Sequence, residues 1–173
     1  MKIRQGFVSN SSSSSFIVAF DSAPKTAEDV KHQMFGNDEN FYFDSLDGNY
    51  NYIVAHCPTI DIAEDVFGQI GKQETPSKED LLDAISSGTV EGEPKYDFNR
   101  AYNQEKKEFN SEYQEKYDKK CKLFYENLLN GFISESKNKP IYVFNYSDHS
   151  AWGSMMEHDG IFDNLNYIRV SQH

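Results

Sequence analysis

Cysteine is nearly absent: Cys57 and Cys121 stand far apart, in no Cys-x-x-Cys pattern. Zinc ribbons and dithiol redox motifs need closely spaced thiols, so neither is expected, and the two cysteines read as reduced and structural. Long apolar runs are missing as well. No stretch approaches the roughly 20 residues needed to cross a bilayer, and the first residues are not followed by the apolar region of a secretory signal. This predicts a cytoplasmic protein without a membrane partner. Basic residues are the scarcer charge, 17 Lys plus Arg against 28 Asp plus Glu, for a net charge of -11. Such a surface repels a phosphate backbone, so direct nucleic-acid binding is disfavoured and a basic partner fits better. Mimicry of DNA would need the acids gathered on one face, whereas the most charged stretch mixes both signs.

What the chain does have is 38% hydrophobic and 14% aromatic residues in 173 positions, enough for one sizeable core and one domain. Phe16 to Phe20 is apolar at every position, the pattern of a strand covered on both faces. Thr26-Ala27-Glu28-Asp29 supplies an N-cap and an acidic first turn for a short helix ending at Gly36. Phe41 to Phe43 and Tyr50 to Ala55 read as a hairpin turning at Asp47-Gly48-Asn49. A second helix runs from Asp61 to Gly71, and a third from the Ser77-Lys78-Glu79-Asp80 cap to Gly88. From about 97 to 136 there is no proline, and Phe98, Tyr102, Phe109, Tyr113, Tyr117, Cys121, Phe124, Leu128 and Phe132 recur at helical spacing. One helix of this length would extend roughly 60 Å, so it must project or break into a hairpin, with Asn110-Ser111 the weakest point. Its interleaved Lys and Glu residues read as a solvated face. Ile141 to Tyr146 reads as a central strand and Tyr167 to Val170 as the closing one. The expected fold is a single α+β domain, with a mixed or antiparallel sheet and several helices.

Two segments could carry chemistry. The first is the serine run. Ser9, Asn10, Ser11, Ser12, Ser13, Ser14 and Ser15 lie between Lys2-Ile3-Arg4-Gln5-Gly6-Phe7-Val8 and Phe16, two segments that both read as strands. The run is expected to be a loop tied at each end, with three readings: a polar connector, a nest of N–H groups and hydroxyls holding a phosphate-bearing ligand with Arg4 as counter-charge, or a modification target. It lacks the spacing of a P-loop.

The second follows the strand at Ile141. Asp148, His149, Glu157, His158 and Asp159 place two imidazoles and three carboxylates within a short span after a strand end. These residue types suit acid–base work, and His158, Glu157, His149 and Asp148 are the candidate catalytic residues. The histidine spacing is not that of His-Glu-x-x-His, and no metal or cofactor motif is recognised. The plainer reading has the histidines bonded to neighbouring carboxylates as turn and cap residues. Trp152, Met155 and Met156 are expected to fill the core. His56 and Cys57 are adjacent in a strand, so their side chains point to opposite faces and should not meet as a reactive pair.

The segment from Gly6-Phe7-Val8-Ser9-Asn10 through the serines to Phe16 resembles the amino-terminal signature of a family of uncharacterised bacteriophage and bacterial proteins. The aromatic strand running into Tyr146-Ser147-Asp148, then Gly153-Ser154 and Met156-Glu157-His158, is similar to that family's carboxy-terminal part. The resemblance implies a small phage or phage-like accessory protein. The leading expectation is therefore a non-enzymatic module binding a host macromolecule, in host takeover or counter-defence. The alternative is an enzyme or ligand-binding protein that holds a phosphate-bearing ligand at the serine run beside the Asp/His/Glu cluster, which requires the two segments to meet in space.

Overall fold

The structure is a computed structural model and describes residues 13–46, 52–103, 108–147 and 151–172. In chain order the elements are β1 (Ser13–Ala19), α1 (Ala27–Phe35), β2 (Asn40–Leu46), β3 (Tyr52–Pro58), α2 (Thr59–Ile70), α3 (Lys78–Ser86) and α4 (Phe98–Ala101). They continue with β4 (Tyr102–Asn103), β5 (Glu108–Phe109), α5 (Ser111–Glu135), β6 (Ile141–Ser147), α6 (Ala151–His158) and β7 (Asn166–Gln172).

The centre is a three-stranded antiparallel sheet in the order β6-β1-β7. A strand apolar at every position must be covered on both faces, and β1 is: Ile17, Val18 and Ala19 are fully buried. Phe16, Val18 and Phe20 pack with Val30 and Met34 of α1, Ile62 and Val66 of α2, and Met155 and Met156 of α6. Ile17 and Ala19, on the opposite face, pack with Leu81 and Ile85 of α3, Leu129 and Phe132 of α5, and Ile168 and Val170 of β7. The alternation of strand side chains thus divides one strand between two helical layers. The fold is α+β, with every pairing antiparallel among the described strands.

Two expectations about strands need correction. Among the described strands Ile141 to Tyr146 lies at an edge, because β1 takes the middle; one of its outward main-chain groups, the Val143 N–H, donates to Gln73 Oε1 at 3.0 Å. Second, Ser13, Ser14 and Ser15 belong to β1 and are not loop residues. Among the described residues, the other sheet edge is capped at one point. Thr89 and Ser171 exchange main-chain hydrogen bonds, 2.8 Å from Thr89 N and 2.9 Å from Ser171 N. Gly88 permits this approach, since a Cβ there would collide with the Ser171 carbonyl.

The continuous helix or helical hairpin expected from 97 to 136 is not what forms: Tyr102–Asn103 and Glu108–Phe109 pair as strands, and the long helix starts only at Ser111, next to the weak point at Asn110. Asp97 caps α4 by accepting from Asn99 N and Arg100 N, and β4 then pairs with β5. Asn110 starts α5 by accepting from Tyr113 N at 3.1 Å. The 25 residues of α5 span roughly 37 Å. Its exposed Glu112–Lys116 and Glu115–Lys119 pairs, at 2.6 and 2.7 Å, form the expected solvated face.

The β2–β3 pair packs Phe41, Phe43 and Cys57 inward; its turn at Asp47-Gly48-Asn49 lies outside the described residues. Cys57 Sγ sits 3.6 Å from Met155 Sδ, while the His56 ring lies 5.8 Å from that of Tyr42. The two side chains are on opposite faces, as strand alternation requires. Burial, with Asp61 second, pushes the Cys57 thiol up, away from a reactive thiolate. Met155 and Met156 are core residues, but Trp152 is 37% exposed and does not fill the core. No helix of the described residues is long and apolar enough to cross a membrane.

Candidate functional site

The two segments singled out in the sequence meet. Ser14 is central in the sheet, 1% exposed, and its hydroxyl donates to Glu157 Oε1 at 3.0 Å. Glu157 is inward because the last turn of α6 lies against the sheet: Met155, Met156 and Glu157 are all buried. A third group completes the arrangement. Arg169 of β7 donates from Nε to Ser14 Oγ at 3.3 Å, and its guanidinium lies 3.9 Å from Glu157 and over the Phe16 ring, 5.8 Å from the centroid. A fully buried carboxylate thus faces a cation that is about a third exposed, with a hydroxyl between them.

The neighbouring serines are likewise tied across the sheet. Ser15 donates to Asn145 Oδ1 on β6 at 2.6 Å and accepts from Gln172 Nε2 on β7 at 3.3 Å, and Ser13 donates to Gln172 Oε1 at 3.2 Å. These hydroxyls are cross-strand connectors, and Ser14 is too enclosed to serve as a nucleophile. Arg4, Ser9, Asn10, Ser11, Ser12, Asp148 and His149 lie outside the described residues. His158 closes α6.

Glu157 and Arg169 open onto a cleft of about 390 Å³, with Asp159, Gly160, Asp163 and Tyr167 around it. Gly160 has φ 71°, and its turn is closed by the Asp163 N–H donating to Gly160 O at 3.0 Å. Any Cβ at that position would strike the Asp163 carboxylate. The Tyr167 hydroxyl donates to Asp163 Oδ1 at 2.9 Å; burial first, then this bond, pushes its pKa up, so it remains a donor. Among the described residues, three carboxylates thus line the cleft against one guanidinium, a lining that favours cations over anions. Among the described residues, no group of three or more His, Cys, Asp or Glu is placed to hold a metal ion.

A smaller polar cluster lies nearby. Gln69 donates to Asp65 at 2.9 Å and to the Tyr146 hydroxyl at 3.1 Å, and burial with the Asp65 charge drives the Tyr146 phenol far up. Tyr146 is therefore a fixed hydrogen-bonding group of the core.

Arg169, Asp163 and Tyr167 escaped the reading of the sequence. A signal for Arg169 existed: in Tyr167-Ile168-Arg169-Val170 the charge alternates with apolar residues, which puts it on the face opposite Ile168 and Val170. What lies on that face depends on the pairing of β7 with β1, which local pattern does not specify. The chain matches no protein-family model, no curated protein and no solved structure.

Proposed function

We propose that the protein is a non-enzymatic binding module of phage or phage-like origin that engages a macromolecule of the bacterial host cytoplasm, in host takeover or counter-defence. The observation that carries the binding role is an exposed aromatic cluster around α4 and the start of α5. Phe98 and Phe109 are 56% and 64% exposed, and Tyr96 is 39% exposed. Their rings are ordered against one another: Phe98 lies 5.6 Å from Tyr102, which lies 5.1 Å from Phe109, and Tyr96 lies 4.9 Å from Tyr117. None of these six-membered rings joins either core cluster. Aromatic side chains held in place before binding lose little entropy on association and dominate interface hot spots.

Tagged protein should recover a stoichiometric partner from bacterial lysate, and Phe98→Ser with Phe109→Ser should abolish recovery without lowering the melting temperature. Recovery of nothing at low salt would sink the binding role. Equal recovery by wild type and the double variant would move the interface elsewhere.

The second reading, a protein holding a phosphate-bearing ligand, is favoured by the Ser14–Glu157 bond that joins the serine run to the carboxy-terminal cluster. The carboxylate-rich lining of that cleft opposes it, because a phosphate there meets more negative than positive charge. Calorimetric titration with inorganic phosphate distinguishes the two readings; the binding-module reading expects no heat of binding.

A further inference from the structure

We infer that the outer edge of β7 is a docking groove for an extended peptide segment of a partner, one that alternates apolar and basic residues. This deepens the proposed binding role and rests on it. The antiparallel register with β1 pairs Ile17 with Ile168 and Ser15 with Val170. Ser171 exchanges its main-chain bonds with Thr89, on the other side. Alternate residues of a strand face the same edge, so the main chain of Tyr167 also points outward, away from β1.

Among the described residues, only Thr89 lies against this edge as a strand would. After it the chain turns away, with the Glu93 N–H donating to Val90 O at 3.2 Å and Gly92 at φ 80°. The space left beside β7 is a cleft of about 680 Å³ walled by Val90, Glu91, Leu128, Tyr167 and Ile168. An antiparallel strand continuing the line of Thr89 fills it and takes up the outward main-chain groups.

The two faces of the groove dictate the occupant's side chains. On one face lie Val90, Leu128 and Ile168, which suit apolar residues. On the other, Tyr167 and Arg169 belong equally to the acidic cleft of Glu157, Asp159 and Asp163, so the two clefts meet across this edge. Arg169 is already turned to Ser14, Glu157 and the Phe16 ring. Among the described residues, side chains reaching that face meet Asp159 and Asp163, while the one guanidinium there already faces the buried Glu157, and they are therefore basic. An added strand projects alternate residues to opposite faces, which gives the alternating pattern. The net charge of -11 acts in the same direction.

The test uses the full chain, isotope-labelled, and a capped seven-residue peptide of alternating valine and lysine. Saturating peptide should slow exchange of the Tyr167 amide at least about tenfold and shift the resonances of Val90 and Leu128. N-methylation of the peptide edge that faces β7 should weaken binding at least about tenfold, as expected for losing two main-chain hydrogen bonds, whereas methylation of the other edge should not. Replacing the lysines by glutamate should weaken binding by a similar factor. Binding indifferent to which edge is methylated, or without protection of Tyr167, overturns the inference. So does a doubled mass in light scattering with the groove amides protected, since a second copy is then the occupant. Recovery of a lysate partner through Phe98 and Phe109, with no peptide bound at β7, overturns this inference and leaves the binding role standing.

Discussion

Glu157 is the most consequential single residue among those described, because its buried carboxylate accepts from Ser14 and faces Arg169. Removing one member of a buried pair leaves the other without compensation, at a cost of about 3 to 5 kcal/mol. Arg169 keeps about a third of its side chain in water, so the lower end applies. Glu157→Ala should therefore destabilise the fold by about 3 kcal/mol in urea denaturation, and Ser14→Ala by about 1 kcal/mol. Glu157→Gln keeps an acceptor for Ser14 and should cost less than Glu157→Ala. If Glu157→Ala melts like wild type, the cluster does not hold α6 to the sheet. Half of this arrangement was legible in the sequence: Ser14 and Glu157 were singled out separately, for their chemistry. Their meeting was only a condition for the ligand reading, because they are remote in the chain and only the sheet brings them together.

Local signals were clearest at helix starts. Thr26 and Ser77 each form a reciprocal cap: Thr26 Oγ1 accepts from Asp29 N at 3.1 Å, and Ser77 Oγ from Asp80 N at 3.1 Å, while both carboxylates accept in return. Asp29 is held below the usual carboxylate range chiefly by the Lys25 N–H, and Asp80 by the Ser77 hydroxyl. A depressed folded pKa means that the stabilisation is full above the unfolded value of about 3.9 and is lost as pH falls through the folded value. The melting-temperature difference between wild type and Asp29→Asn/Asp80→Asn should thus be constant from pH 7 to about 5 and shrink below about 4. A difference that persists undiminished at pH 2 would rule out capping by the ionised carboxylates. Asn110 shows the same principle as an interruption. Its side chain offers the backbone an alternative to a continuous helix, and that alternative wins because the Asn110 N–H also bonds Ala101 O at 2.8 Å. The sequence marked the breakpoint; the β4–β5 pairing that exploits it required the folded chain.

On the scale of the whole molecule, one strand serves two cores, since β1 contributes Phe16 and Val18, with Phe20 just past its end, to one layer and Ile17 and Ala19 to the other. Neither layer keeps its sheet face without the other, so unfolding should be a single transition, with far-UV and near-UV signals coincident in urea. Separate transitions would show that the layers are independently stable. The strand at Phe16, the capped helices, the β2–β3 pair, the opposite-facing His56 and Cys57 and the surplus of acid were determined by the sequence itself, because each depends on periodicity, capping or composition within a few residues. Tertiary structure alone decided that Ile141 to Tyr146 lies at an edge, that Trp152 stays partly exposed, and that Arg169 reaches Ser14 and Glu157. Those outcomes are set by strand order and by which helices cover which face, and both follow from minimising exposed apolar area over the entire chain rather than from any local pattern.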